Sequence, residues 1–138
     1  MNSHVQTAPP EGFQPVASRA PFLNHVGPIY ERRTAPGTVE RCFWSTEQHS
    51  NGLGLTHGGM LATFLDGALA LACTTQTHVP VTISLSLDYL RMARSGEWII
   101  AEARILRATR EMAFAEGRAH VAGVDVVRAS GVFKLFPR

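Results

Sequence analysis

The sequence predicts an α+β fold in which a curved antiparallel sheet wraps one long central helix. Three observations carry that prediction. Residues 58–76, GGMLATFLDGALALACTTQ, form one alanine- and leucine-rich run that is too long for an ordinary strand. After Pro80 the pattern switches to period two, with Val81, Ile83, Leu85, Leu87 and Tyr89 alternating with Thr82, Ser84, Ser86 and Asp88. The strand-like segments that follow are joined by links too short for helical crossovers, so neighbours run antiparallel. A helix that is apolar around most of its circumference is buried by lying on such a sheet.

Taken in order, residues 1–20 carry Pro9, Pro10, Gly12 and Pro15 among few large apolar groups, and read as a flexible N-terminal arm. Phe13 is the one group in it suited to docking. Residues 21–138 read as a single domain. Pro21 to Val26 forms a short helix or turn ahead of Gly27-Pro28. Ile29 to Arg33 and Val39 to Thr46 are two strands separated by Ala35-Pro36-Gly37. A polar loop from Glu47 leads through Asn51, Gly52 and Gly54 to the helix, with Thr56 or His57 as its N-cap. Beyond the alternating strand, Ser95-Gly96 marks a turn. Strands follow at Trp98 to Leu106, Met112 to Val121 and Val127 to Phe136, the last two joined by a turn at Ala122 to Asp125.

The length of 138 residues suits one domain, and the 45% hydrophobic content supplies a core. A net charge of +2, with arginines scattered among apolar residues, argues against a nucleic-acid partner. Cys42 and Cys73 make no CxxC pair, and the histidines have no spacing with acids that argues for a metal. Cys73, inside the apolar run, reads as a buried free thiol. With no basic segment leading into an apolar stretch, and with Asp66 interrupting the longest apolar run, the expectation is a cytoplasmic protein with no membrane partner.

Asp66 stands out on chemistry alone. It sits between Leu65 and Gly67 in a helix otherwise nearly all apolar, and a carboxylate there is costly unless it is paired or used. Gly58 and Gly59 open the same helix. The first amides of a helix lack internal acceptors and, with the aligned peptide dipoles, favour developing negative charge. Glycine also lets a substrate approach the backbone.

The stretch Asn51-Gly52-Leu53-Gly54-Leu55-Thr56-His57-Gly58-Gly59, with Asp66 eight residues after Gly58, resembles the hotdog-fold acyl-CoA thioesterases, in particular the PaaI-like branch related to the phenylacetate-pathway enzyme. The Thr82 to Tyr89 strand, the Gly96 turn and the segment Ile105-Leu106-Arg107 through Phe114 share the likeness, which covers residues 51–136. It implies hydrolysis of acyl-CoA in a homodimer, or a tetramer built as a dimer of dimers, with sites between subunits. It implies Asp66 as nucleophile or general base, the Gly58 amide as the group polarising the thioester carbonyl, and His57 as an orienting residue. Asn51 and Thr82 match positions that hold water or the acid. Gly59 is expected at the substrate, Arg91, Arg107 and Arg110 at the phosphates of coenzyme A, and Leu61 and Phe64 along the acyl pocket. No cofactor is expected, since helix amides serve in place of a metal. A hydratase or dehydratase of the same fold, and a non-catalytic acyl-CoA binding protein, are the alternatives.

Overall fold

The computed structural model describes residues 8–138. Its elements are β1 (Gln14–Pro15), α1 (Pro21–Val26), β2 (Tyr30–Ala35), β3 (Thr38–Trp44), α2 (Gly58–Cys73), β4 (His78–Tyr89), β5 (Trp98–Ala108), β6 (Met112–Val121) and β7 (Val124–Pro137). The strands form one antiparallel sheet in the order β1-β2-β3-β5-β6-β7-β4, so β4 lies at one edge.

Helix α2 lies against the sheet, as the apolar run requires. Met60, Leu61, Phe64, Leu65, Ala68, Leu69, Ala72 and Cys73 are its buried residues. They meet Val39 and Phe43 from β3, Ile99 from β5, Ala113 and Ala115 from β6, and Val127 and Phe133 from β7. Alanines in the central strands let the helix and the neighbouring backbone approach closely. None of the helices among the described residues is long and apolar enough to cross a membrane.

The helix ends at Cys73 rather than Gln76. Thr74 has left helical geometry, and its hydroxyl bonds back to the Ala70 carbonyl at 2.9 Å, as hydroxyls at helix ends commonly do. Strand β4 begins at His78, two residues before Pro80. An edge strand tolerates a residue without an N–H, and Pro80 stands opposite Leu135 of β7. The β6–β7 turn is shorter than expected: Ala122 and Gly123, at φ 50° and 82°, close it as a two-residue turn, so β7 starts at Val124.

Part of the N-terminal arm is docked. Phe13 is buried beneath the Arg32 guanidinium, which lies 4.5 Å from its ring centre, and Gln14–Pro15 pairs with Tyr30 and Glu31. Residues 1–7 of the arm lie outside the described residues.

One irregularity in β4 shapes the site. The pairing with β7 steps from Thr82 opposite Phe133 to Ser84 opposite Val132, leaving Ile83 as an extra residue. Such a bulge shifts the phase of a strand by one. The single apolar row expected from Val81 to Tyr89 is therefore split. Leu85 and Leu87 pack toward the core, whereas Val81 and Ile83 are more than half exposed. Thr82, predicted on the opposite face from Leu85, is turned toward α2.

Candidate functional site

The turn that delivers the helix N-terminus is held on both sides. Thr56 donates its N–H to the Ala93 carbonyl at 2.8 Å, and its hydroxyl lies 2.6 Å from that of Ser45, both buried. His57 donates its N–H to the His49 carbonyl at 2.8 Å. His49 is itself fixed, with Nδ1 accepting from the Thr46 amide at 3.0 Å and Nε2 2.6 Å from the Val26 carbonyl. The Asn51 side-chain oxygen accepts from Leu53 and Leu55 amides at 2.8 and 3.2 Å, which makes Asn51 the organiser of its own loop.

His57 is the N-cap of α2, and its Nδ1 accepts the Gly59 amide at 2.8 Å. The neutral ring then carries its proton on Nε2. This alters one expectation. Of the two glycine amides read from the sequence, Gly59's is taken by His57, so Gly58 alone offers its N–H at the helix start without an intrahelical acceptor. Gly58 is bracketed by a residue that sequence reasoning had placed only in a strand: Tyr89 donates its hydroxyl to the Gly58 carbonyl at 2.7 Å. The Tyr89 ring lies about where a side chain at Gly58 would touch it, at 3.4 Å. Its signal was its place at the end of the alternating strand, nearest the helix start.

Asp66 is half-buried, and its Oδ1 accepts a hydrogen bond from the Thr82 hydroxyl at 2.6 Å. The structure thus brings together two of the expected site residues across α2 and β4. Asp66 and Gly58 stay apart within one chain: eight residues of helix separate their backbones by about 12 Å.

Leu61 and Phe64 are not on a channel. Each is only 3% exposed, and the Phe64 ring packs edge-on against Phe43 with centres 4.7 Å apart. These two positions face the sheet. The adjoining helix face, at Met60 and Thr63, instead lines an open groove together with His57 and the α1 residues Phe22, His25 and Val26.

The arginines divide between the two ends of the sheet. Arg91, two residues beyond Tyr89, donates to the Asp125 carbonyl at 3.0 Å near the helix start. Arg107 and Arg110 are exposed at the β5–β6 turn, where Leu135, near the end of β7, donates to the Glu111 carbonyl. No group of three or more metal-ligating side chains occurs among the described residues. Cys42 and Cys73 are free and buried, and burial pushes their thiols up to about 12 and about 11.

Residues 53–127 match the family model described as the thioesterase superfamily. The chain is 37% identical over 129 residues to the Pseudomonas aeruginosa esterase candidate PA0474, covering 91% of this chain and 96% of that protein. It is 33% identical over 95 residues to human acyl-coenzyme A thioesterase 13, covering 67% and 68% of the two chains. Its fold also matches a mutant of the phenylacetic acid degradation protein PaaI from Thermus thermophilus, with a TM-score of 0.76, 27% identity, and coverage of 83% of this chain and 98% of that one. With the helix-on-sheet fold, these matches show that the chain belongs to the thioesterase superfamily, as a hotdog-fold hydrolase of the PaaI-like branch.

Proposed function

We propose that this hydrolase cleaves acyl-CoA thioesters to the free acid and CoA in a site completed by a second copy of the chain. The observation that carries the reading is the Thr82–Asp66 hydrogen bond. It fixes one oxygen of a carboxylate on an otherwise apolar helix, beside an exposed sheet edge, and no partner of Oδ2 is seen among the described residues. The Gly58 N–H donates a hydrogen bond to the thioester oxygen as negative charge grows on it. Asp66 either attacks the carbonyl carbon, giving an anhydride that water then opens to the free acid and the restored carboxylate, or draws a proton from a water that attacks; in both routes the C–S bond breaks and CoA leaves as the thiolate.

A single chain holds these groups too far apart to reach one carbon. Strand β4 supplies the remedy. It is a long edge strand with Val81, Ile83 and Tyr89 more than half exposed, and such an edge invites a further strand. Its Thr82 end lies at Asp66 and its Tyr89 end at Gly58. Antiparallel pairing with a second copy, centred near Leu85 and Ser86, sets the Asp66 of one protomer toward the Gly58 of the other. The same two-fold carries Arg107 and Arg110 of one copy toward the helix start of its partner, where they join Arg91 as candidates for the CoA phosphates.

The test is release of CoA thiol from a panel of acyl-CoA esters. Asp66→Asn lowers kcat roughly 100-fold or more; turnover within twofold of the parent rules out the role given to Asp66. Tight acyl-CoA binding without thiol release favours a carrier, and addition of water to an enoyl-CoA favours a hydratase. Single turnover in ¹⁸O-water places label in the Asp66 side chain only if that residue is the nucleophile.

A further inference from the structure

His49 has no part in the chemistry assigned so far, yet it is 7% exposed, with both ring nitrogens and its carbonyl engaged. We infer that His49 is a positioning residue for the hydrolysis. Through its Nε2 bond to Val26 it fixes the base of the loop that carries Asn51, His57 and Gly58, and so sets where the Gly58 N–H points. This rests on the thioester-hydrolase reading of the same site.

The loop from 49 to 57 closes on His49. The His57 N–H donates to the His49 carbonyl at 2.8 Å, Ser50 bridges Thr56, and the Asn51 N–H donates to the Leu55 carbonyl at 2.8 Å. The two arms of the loop are thereby coupled, and a shift of residue 49 carries His57 and the helix start with it. The far arm has ties of its own, from Thr56 to Ala93 and Ser45. These keep the loop folded when the His49 ring lets go, but they do not replace its hold on the near arm.

The contacts of the ring agree on one tautomer. Nδ1 faces the Thr46 amide at 3.0 Å, which can only donate, and Nε2 faces the Val26 carbonyl at 2.6 Å, which can only accept. The proton of the neutral ring therefore sits on Nε2. The Thr46 bond is local, closing the single turn Glu47–His49 as half of a capping box. The Val26 bond spans 23 residues and reaches the last residue of α1. Val26 packs against the core. The His49 ring also stands edge-on to buried Phe43, with centres 5.1 Å apart, and Phe43 in turn packs on Phe64 of α2. The loop base is thus referred to α1, β3 and α2 at once, and the Val26 bond is the directional one of these ties.

The experiment takes an acyl-CoA ester that the parent hydrolyses and measures thiol release by His49→Leu, His49→Gln and His49→Asn, where circular dichroism shows each variant folded. Leucine fills the space without either bond. Glutamine sets an amide donor about where Nε2 stands, and asparagine an acceptor about where Nδ1 stands. His49→Leu and His49→Asn lower kcat roughly tenfold or more with KM within about twofold, the mark of an interaction felt in the transition state. His49→Gln keeps kcat within about threefold of the parent. Gly117→Ala, which crowds the backbone of β5 and is destabilised in its own right, keeps kcat within about twofold. A His49→Leu kcat within twofold of the parent, a rise in KM at constant kcat, no rescue by glutamine, or an equal loss in Gly117→Ala overturns the inference while leaving thioester hydrolysis intact. If the leucine variant does not fold, equal kcat in the glutamine and asparagine variants overturns it. Absence of thiol release from every ester by the parent overturns the underlying reading instead.

Discussion

The Tyr89 hydroxyl donates to the Gly58 carbonyl at 2.7 Å, which ties the last residue of the edge strand to the first residue of the helix. The peptide between Gly58 and Gly59 is thereby held at both polar ends, by Tyr89 at its oxygen and by His57 at its nitrogen. Two consecutive glycines are otherwise loose. Tyr89→Phe keeps the ring and removes the clasp. We expect kcat to fall roughly 5- to 20-fold, with KM nearly unchanged, the scale of one neutral hydrogen bond. Steady-state kinetics on one acyl-CoA decides it; a rise in KM at constant kcat contradicts it.

Thr82→Val removes the hydroxyl that holds Asp66 at nearly constant volume. A hydrogen bond to a charged group contributes about 1.5–3 kcal/mol, so kcat/KM falls roughly 10- to 100-fold if the carboxylate must be aimed. Thr82→Ser restores most of it. Equal activity of the valine and serine variants sinks the positioning role.

Ile83→Lys places a charge on the exposed edge of β4 without touching the core. If activity depends on a second copy there, this variant sediments as a smaller species and loses thiol release in parallel. Far-UV circular dichroism stays that of the parent. Full activity in a monomer contradicts the shared site.

A stability prediction is independent of function. A Cβ at Gly117, on β6, would lie 2.5 Å from the Glu102 carbonyl oxygen and 3.2 Å from Ala103 Cα, both backbone. Strand β5 cannot move away without parting from β3. Gly117→Ala is expected to cost about 2–3 kcal/mol, read as a lower urea midpoint. An unchanged midpoint shows that the strands have more room than this.

The cysteines give a pH dependence. Burial raises both thiols, Cys42 to about 12 and Cys73 to about 11, above the ordinary ~8.5 of an unfolded chain. Above pH ~8.5 the unfolded chain sheds these protons and the folded one retains them, so stability declines as pH rises toward 11. Urea unfolding from pH 8 to 10 should show the decline, less steeply in a Cys42→Ala/Cys73→Ala variant. Neither thiol should react rapidly with a disulfide reagent at pH 7.5 in the native protein.

Much of the fold was legible because its signals are local. The apolar run of α2, the short links between strands and the strand segments that form β5 to β7 are each written in neighbouring residues. Asp66 is conspicuous for the opposite reason, as the one charged residue in an otherwise nearly apolar run. What neighbouring residues do not carry is side-chain direction and contact between distant segments. Leu61 and Phe64 were assigned to a pocket because nearly every side of α2 is apolar, and composition cannot say which of those sides meets the sheet. The second glycine amide was counted as free because a cap by His57 Nδ1 depends on a rotamer. Tyr89 passed unmarked because its partner lies 31 residues away.

The extra residue at Ile83 gives β4 two phases in one length of chain. Upstream of it, the side chain turned toward the helix belongs to a threonine that answers to a carboxylate; downstream, leucines answer to the core. Straightening the bulge, with Ile83 kept and paired, would return the strand to unbroken alternation and send the threonine outward, with every core leucine still in place. The protein would keep its shape while the hydroxyl now held 2.6 Å from Asp66 pointed away from the helix.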